Sequence, residues 1–242
     1  MNHIPIKSTG PLNNQSILSI NQLRVQGPKT SQNIQTINSG PSAPSTAQAS
    51  PSPGKSAPSL IHTVQKGQKV PLAPSDGPSA VRACLGWRAA NAACDVDVSA
   101  FLLNSAGKVP GDNWFVFYGQ EKSPDGSVVF STEAGADRES ISVDFAKLSS
   151  QVAKIVFVLT IHEALSRHLN FSMLKDAYIR ILDASSNQEI VSFQMDEYYA
   201  NVTSMMIGEI YRHNGSWKFN AIGNGVAKDL AGLCELYGVQ VV

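Results

Sequence analysis

Apolar runs of strand length recur from about residue 60 to the end of the chain, separated by turn residues. The most apolar run, 154–161, is rich in β-branched residues, which predicts a strand buried on both faces. The Asn-Gly pair at 214–215 joins two alternating runs and is a strong hairpin signal, and the Ser-Pro-Asp-Gly sequence at 123–126 predicts a turn. The other predicted strands are two short pieces within 62–71, then 81–87, 98–103, 114–118, 128–130, 141–145, 177–182, 189–195, 205–211 and 217–222.

The last residues of the chain change from strand to helix periodicity. Apolar residues recur there at helical spacing, which predicts an amphipathic helix with Asn224 as its N-cap and Gly238 at its end. The apolar positions are Val226, Leu230, Leu233, Cys234 and Tyr237. Together, roughly eight to ten strands and one terminal helix predict an all-β domain over residues 59–242. We expect a two-sheet antiparallel β-sandwich with a C-terminal amphipathic helix.

Residues 1–58 have a different composition, rich in Ser, Pro, Gln and Asn. Such a segment buries too little apolar surface to offset its ordering entropy, so it is predicted to be a disordered N-terminal arm. One apolar segment, 17–25, interrupts it and contains Arg24. Two interpretations are open: a motif that folds on contact with a partner, or a hydrophobic fluctuation without function.

Charge is segregated along the chain. Residues 1–60 hold four basic residues and no acidic one, so the remainder carries 15 of 19 basic and all 19 acidic residues, a formal charge of −4. This balance favours a cation ligand, and nucleic acid binding is not expected. Three cysteines without CxxC spacing, no secretory signal and no apolar span predict a cytoplasmic protein whose membrane association would be only indirect.

Acidic and amide residues flank two apolar runs between residues 94 and 118. Asp95, Asp97 and Ser99 share one strand face, and Asp112 and Asn113 lie in the following loop. Two carboxylates on one face repel each other unless a cation lies between them, which is a plausible beginning of an oxygen-ligand metal site. Turn chemistry explains the same residues without a metal. An EF-hand is excluded, because its required Gly and Glu positions hold alanines.

Catalytic motifs do not emerge from the sequence. The segment after 161 resembles HExxH, but its second His position holds Ser166. P-loop, G-x-S-x-G and Rossmann patterns are absent from the sequence. We therefore expect a protein that is not an enzyme, in which His162 hydrogen-bonds a carboxylate.

Several segments in order resemble the TerD family of tellurium-resistance and stress proteins. They are Leu-Gly-Trp at 85–87, Asp-Val-Asp-Val-Ser-Ala-Phe-Leu-Leu at 95–103, 107–113, 125–127, 158–162, 177–180 and 208–219. The resemblance implies a β-sandwich that binds calcium through acidic residues and acts in stress resistance without established catalysis. It also implies protein partners, other Ter-type proteins among them.

The resemblance implies a calcium site with a defined set of residues: Asp95, Asp97, Asp112, Asn113, Asp137 and Glu139, supported by Ser99, His162 and Glu163. The loop before Glu139 is several residues shorter than the family pattern. Arg138 replaces an acidic residue there, and Arg88 replaces another after Gly-Trp. Two added cations weaken a calcium site. The alternative is therefore a metal-degenerate scaffold whose N-terminal arm recruits partners.

Overall fold

The computed structural model describes residues 57–72, 78–91, 93–133 and 136–241. Within them the chain forms two antiparallel sheets and one C-terminal helix, so the predicted sandwich is confirmed. Residues 1–56 of the predicted arm, with its apolar segment 17–25, lie outside the described residues. The strands are β1 Lys69–Pro71, β2 Ala80–Ala89, β3 Val96–Leu103, β4 Phe115–Val116, β5 Val128–Thr132, β6 Glu139–Asp144, β7 Lys154–Ile161, β8 Leu174–Asp183, β9 Glu189–Gln194, β10 Ser204–His213 and β11 Ser216–Val226; the helix, α1, is Leu230–Tyr237.

The two sheets enclose the main core. The first sheet has the order β1-β11-β10-β7-β3-β4, and the second has the order β5-β6-β2-β8-β9. Alternate side chains of the strands point into the space between them, where Val98 and Leu159 of the first sheet and Leu85 and Ile179 of the second are fully buried. The period-two patterns of the sequence are thus the inner and outer faces of these strands.

A second, smaller core lies on the outer face of the first sheet. Phe101 of β3 stacks on Phe115 with ring centroids 4.4 Å apart, and the ring centroid of Tyr237 in α1 lies 4.6 Å from that of Phe101. Leu233 and Cys234 of α1 complete this core and are fully buried. One face of β7 packs in the main core, and the opposite face packs in the smaller core. The prediction that this strand is buried on both faces is therefore confirmed.

The predicted start of the helix is wrong. Asn224 lies in β11, paired with Met206, and the helix instead begins after Asp229, whose carboxylate accepts a hydrogen bond from the Gly232 N–H at 2.9 Å. The pairing of β11 with β10 continues as far as Val226 and overrides the helical spacing. The predicted end is confirmed, since Gly238 takes the left-handed conformation, with φ of 83°.

The strand predicted over 114–118 is shorter than its apolar run. Only Phe115 and Val116 pair with β3, because a 3-10 turn over Asp112–Trp114 precedes them and a tight turn follows. The side chain of Gln120 donates to the Phe115 carbonyl at 2.5 Å and fixes that turn. This arrangement leaves the first residues of β3, including Asp97, beyond the reach of β4 pairing.

Residues 61–72, which we call the strap, run from an edge of one sheet to an edge of the other. Thr63 forms a bridge with Ser192 of β9, and β1 pairs with β11. One carboxylate oxygen of Glu189 accepts hydrogen bonds from the backbone N–H groups of Ile61 and His62, both at 2.8 Å. The strap therefore ties the two sheets together along one side of the sandwich.

Across the residues that the structure describes, no helix combines the length and the apolar character needed to cross a membrane.

Candidate binding cleft

A row of polar side chains crosses three strands on the outer face of the first sheet. Asp97 of β3 is paired with Thr160 of β7, which is paired with Ser204 of β10. Ser204 Oγ donates to the carbonyl of Lys228 at 2.6 Å, and Thr203 Oγ1 donates to the same carbonyl at 2.8 Å. These bonds fix the segment that enters α1 and so hold the helix beside the polar row.

A cleft of about 600 Å³ lies over this row, between the start of α1 and the loop that follows β7. Its walls are largely apolar, and three of its polar side chains are carboxylates. The lining residues are Asp97, Phe117, Tyr118, Thr160, Ile161, His162, Glu163, Ala164, Leu165, Ser166, Asp229, Leu230 and Ala231. A concave, apolar site with a few polar groups is the usual form of a ligand site.

Two buried polar atoms in the cleft have no hydrogen-bond partner among the described residues. They are Oγ1 of Thr160 and Nδ1 of His162. Buried polar atoms in folded proteins are nearly always paired, so these two are polar groups of the lining whose hydrogen bonds the described residues do not supply. The other ring nitrogen of His162 lies 3.6 Å from a carboxylate oxygen of Glu163.

The loop after β7 presents two exposed side chains at the mouth of the cleft. Glu163 takes a positive φ of 51°, a conformation that costs a residue with a side chain about 1–2 kcal/mol. Its carboxylate and the 53% exposed side chain of Leu165 both line the opening. Ser166 supports the loop, because its hydroxyl donates to the Glu163 carbonyl at 3.1 Å.

The cleft is negatively charged. Asp97, Glu163 and Asp229 contribute carboxylates, and no Lys or Arg belongs to its described lining. Asp229 also caps α1, so one of its oxygens is engaged by the Gly232 N–H. The cleft therefore suits a ligand with apolar surface and positive charge.

Comparison with known proteins identifies the family. The family model described as "TerD domain" matches residues 60–237. The general stress protein 16U of Bacillus subtilis (strain 168) is 40% identical over 189 residues, 74% of this chain and 98% of that protein. The chain belongs to the TerD family. The tellurium resistance protein TerD of Serratia marcescens is 41% identical over 164 residues, 64% of this chain and 85% of that protein.

A solved TerD homologue from Streptomyces coelicolor A3(2) has the same fold. Its sequence is 16% identical, its TM-score is 0.51, and the match covers 69% of this chain and 100% of that one. The predicted membership of the TerD family is thus confirmed by sequence, and the predicted sandwich by structure.

The residues that the TerD resemblance implies as calcium ligands lie in different surroundings. Asp97 is in the cleft with His162 and Glu163, while Asp95 is exposed just before β3 and its carbonyl accepts the His162 N–H at 2.8 Å. Ser99 lies on the same strand face as Asp97 and is buried, with its hydroxyl unpaired among the described residues. The structure thus brings together three of the nine residues.

Asp112 and Asn113 are in the 3-10 turn before β4. Asn113 is exposed, and a carboxylate oxygen of Asp112 accepts the backbone N–H of Gln240 at 2.9 Å. This bond ties the turn to the residues after α1. Neither residue lines the cleft.

Asp137 and Glu139 are each engaged by protein groups. Asp137 accepts hydrogen bonds from the Tyr178 hydroxyl at 2.9 Å and from two guanidinium nitrogens of Arg180 at 3.0 and 2.6 Å. Glu139 is buried, and one oxygen accepts the Val98 N–H of β3 at 2.8 Å. The contacts of Asp137 join the loop before β6 to β8 in the second sheet. The contact of Glu139 joins the second sheet to β3 of the first sheet.

The two arginines that depart from the family pattern also have protein partners. Arg138 donates from Nε to the Trp87 carbonyl at 2.8 Å, and its guanidinium lies 5.4 Å from the centre of the Trp87 ring. Arg88 pairs with Asp176. Within the described ranges, no group of three or more His, Cys, Asp or Glu side chains is placed to hold a metal ion. Calcium binding through the nine residues stays a prediction.

Sequence reasoning missed several residues of the cleft: Phe117, Tyr118, Thr160, Leu165, Asp229 and Leu230. Thr160 had one usable signal, since it is the only polar position within the apolar run that follows Lys154. Its pairing with Asp97 depends on strand order and register, which local periodicity does not give.

Proposed function

We propose that this TerD-family chain is a non-enzymatic stress-response protein that acts by binding a polypeptide segment in the cleft. The observation that supports this most is the combination of apolar walls with three carboxylates and no Lys or Arg among the described lining residues. A segment with aliphatic side chains and a basic residue is complementary to both features. The relatives named for general stress and tellurium resistance supply the physiological setting.

The non-enzymatic part rests on the groups in the cleft. A hydrolase or transferase needs a nucleophile or a base within hydrogen-bond reach of its partner. Among the described lining residues, the Ser166 hydroxyl is used by a backbone carbonyl, and the His162–Glu163 contact of 3.6 Å is longer than a hydrogen bond. These contacts stabilise the loop that follows β7.

A survival assay tests the proposal. Cells lacking the native copy would express the full chain, Leu165→Asp or Leu236→Asp, and would be challenged with tellurite and with peroxide. Leu165 lies in the cleft, whereas Leu236 is a 42% exposed leucine of α1 outside its lining, so the two substitutions are matched. We expect Leu165→Asp to lose protection and Leu236→Asp to keep it. Equal protection by both variants, at equal protein levels, would contradict the proposal.

Calcium is a second candidate ligand for the same cleft. Carboxylates of Asp97 and Glu163 and the unpaired hydroxyl of Thr160 offer hard oxygen donors of the type that calcium takes. Bound there, the cation would neutralise the charge of the cleft. Because calcium prefers six to eight oxygens, water or carbonyl groups would have to complete the set.

Calorimetric titration separates the two ligands. If calcium binds in the cleft, full-length protein in metal-free buffer gives a binding heat with calcium, and Asp97→Asn abolishes it. Asp137→Asn is the matched control, because Asp137 is ion-paired with Arg180 away from the cleft. A heat that vanishes in Asp137→Asn but persists in Asp97→Asn would move the calcium site to the loop before β6.

A further inference from the structure

The cleft defines its ligand by apolar contact and by charge. Leu165 and Leu230 offer aliphatic surface at its mouth, and Leu165 is half exposed. The carboxylates are inequivalent: Asp229 caps α1 and Asp97 is half-buried, whereas Glu163 is exposed at the rim. A basic side chain of the ligand would therefore meet Glu163 first.

The chain itself contains a segment of this chemistry. Residues 17–25 lie outside the described residues, and within these nine the sequence holds five aliphatic residues and a single charge, Arg24. No acidic residue occurs anywhere in residues 1–60. The arm is thus complementary in charge to a cleft whose described lining holds no Lys or Arg.

The length of the chain allows the contact. Residues 26–56 lie between this segment and the first described residue, Ala57. Thirty-one residues span at most about 110 Å. A domain of this size has a radius of gyration of about 16 Å, so the segment can reach any face of the sandwich.

We propose that residues 17–25 of this chain bind in its own cleft. Their aliphatic side chains pack on Leu165 and Leu230, and the guanidinium of Arg24 pairs with Glu163. The arm then competes with an outside partner for the cleft. This inference rests on the proposed function, which makes the cleft a polypeptide-binding site.

Hydrogen exchange of the full chain tests the contact. We expect amides of 18–25 to exchange at least about tenfold more slowly than amides of 35–50, relative to their intrinsic rates. Glu163→Arg and Arg24→Glu should each lower this protection to less than about threefold, and the double variant should restore it. Glu121→Arg, a charge reversal at an exposed acid outside the cleft, should leave it unchanged.

Four outcomes would overturn the inference. They are free exchange of 18–25 in the unaltered chain, protection that survives both Glu163→Arg and Leu165→Asp, failure of the double variant to restore protection, and protection that rises with protein concentration. The last outcome would assign the cleft to the arm of a second copy. Amides of β7 and β10 report folding in every variant, so a misfolded variant is recognised.

The exchange assay tests the self-binding, and the survival assay tests the proposed function, so either proposal can be refuted separately. If 18–25 exchange freely while Leu165→Asp still abolishes stress survival, the cleft binds another polypeptide and only the self-binding is wrong. If Leu165→Asp changes neither measurement, the proposed function is wrong as well.

Discussion

Gly86 of β2 lies against the ring of Tyr178 in the neighbouring strand. A Cβ at Gly86 would come within 2.4 Å of the Tyr178 hydroxyl oxygen and 2.5 Å of the adjacent ring carbon. The ring is fully buried, and its hydroxyl donates to Asp137, so it has little freedom to move. We predict that Gly86→Ala lowers the free energy of unfolding by about 1–3 kcal/mol, measured by urea denaturation. Gly111→Ala is the control, because the nearest atom to its Cβ would be 3.4 Å away, and it should be near neutral.

The carboxylate of Asp125 stabilises the turn that directly precedes β5. One oxygen accepts hydrogen bonds from Ser123 Oγ, Ser127 N and Ser127 Oγ, at 2.7, 3.0 and 2.7 Å, and the other accepts Ser149 N at 2.9 Å. Burial raises the pKa of Asp125, but the hydrogen bonds from these three serines outweigh it and hold the pKa below its ordinary value of 3.8. The ionised form therefore stabilises the folded state.

Asp125→Ala is expected to lower the free energy of unfolding by about 2 kcal/mol near pH 7. Because the pKa is lower in the folded state, this contribution is complete above the unfolded pKa and is lost as the pH falls through the folded pKa. The difference between the two proteins should thus narrow below about pH 4. Urea denaturation at pH 7, 5, 4 and 3 measures it, with exposed Glu121→Ala as the control. A difference that stayed constant over this range would contradict the role of the charge.

The candidate site could be predicted only in part at the residue level. Asp97, His162 and Glu163 were found because motif resemblance points to individual positions. Asp137 was placed in the same site, but the structure commits it to Arg180, a residue 43 positions further along the chain. Such a pairing follows from sheet order, which a single sequence does not reveal.

Helix α1 stabilises the protein through one face. Leu233 is fully buried against the first sheet, whereas Leu236 in the same helix is 42% exposed. We predict that Leu233→Ala costs about 2–4 kcal/mol, because it removes buried methyl groups and leaves a cavity. Leu236→Ala should cost less than about 1 kcal/mol. Chemical denaturation of both variants measures the difference, and equal losses would mean that the helix does not cover a core.

Element types were predictable where local chemistry acts alone. The turn at Asn214-Gly215 has φ values of 50° and 80°, as a two-residue hairpin turn requires, and Gly238 ends α1 with positive φ. The start of α1 was not predictable in the same way. The helical spacing of apolar residues begins at Val226, but the pairing with β10 extends over Asn224 to Val226 and decides for the strand. Tertiary pairing outweighs local propensity there.

At the scale of the molecule, sequence periodicity predicts two faces per strand but not which strands are neighbours. β2 pairs with β6 and β8, and β7 pairs with β3 and β10, so most neighbours are distant in sequence. The cleft is a product of this order, since its polar row takes one residue from each of β3, β7 and β10. That explains why a convergent site was expected while most of its lining was missed.

The strap and the arm before it should contribute very differently to stability. Deleting residues 1–56 leaves all of the strap in place, and we expect the melting temperature to change by no more than about 5 °C. Deleting residues 1–72 removes buried Val64 and Leu72 and uncovers the edges of β9 and β11. It should lower the melting temperature by about 10 °C or more and promote aggregation.

Leu72→Ala in the full chain checks the same point without a truncation. Leu72 is 1% exposed, and its N–H donates to the Trp217 carbonyl at 2.9 Å, so it fixes the end of the strap on β11. A loss of about 2–4 kcal/mol is expected, and Ile61→Ala, at a residue 69% exposed, should cost less than about 1 kcal/mol. If the two truncated proteins had the same melting temperature and Leu72→Ala left the free energy of unfolding unchanged, the strap would not hold the sheets together. The sandwich would then owe its stability to the two cores alone.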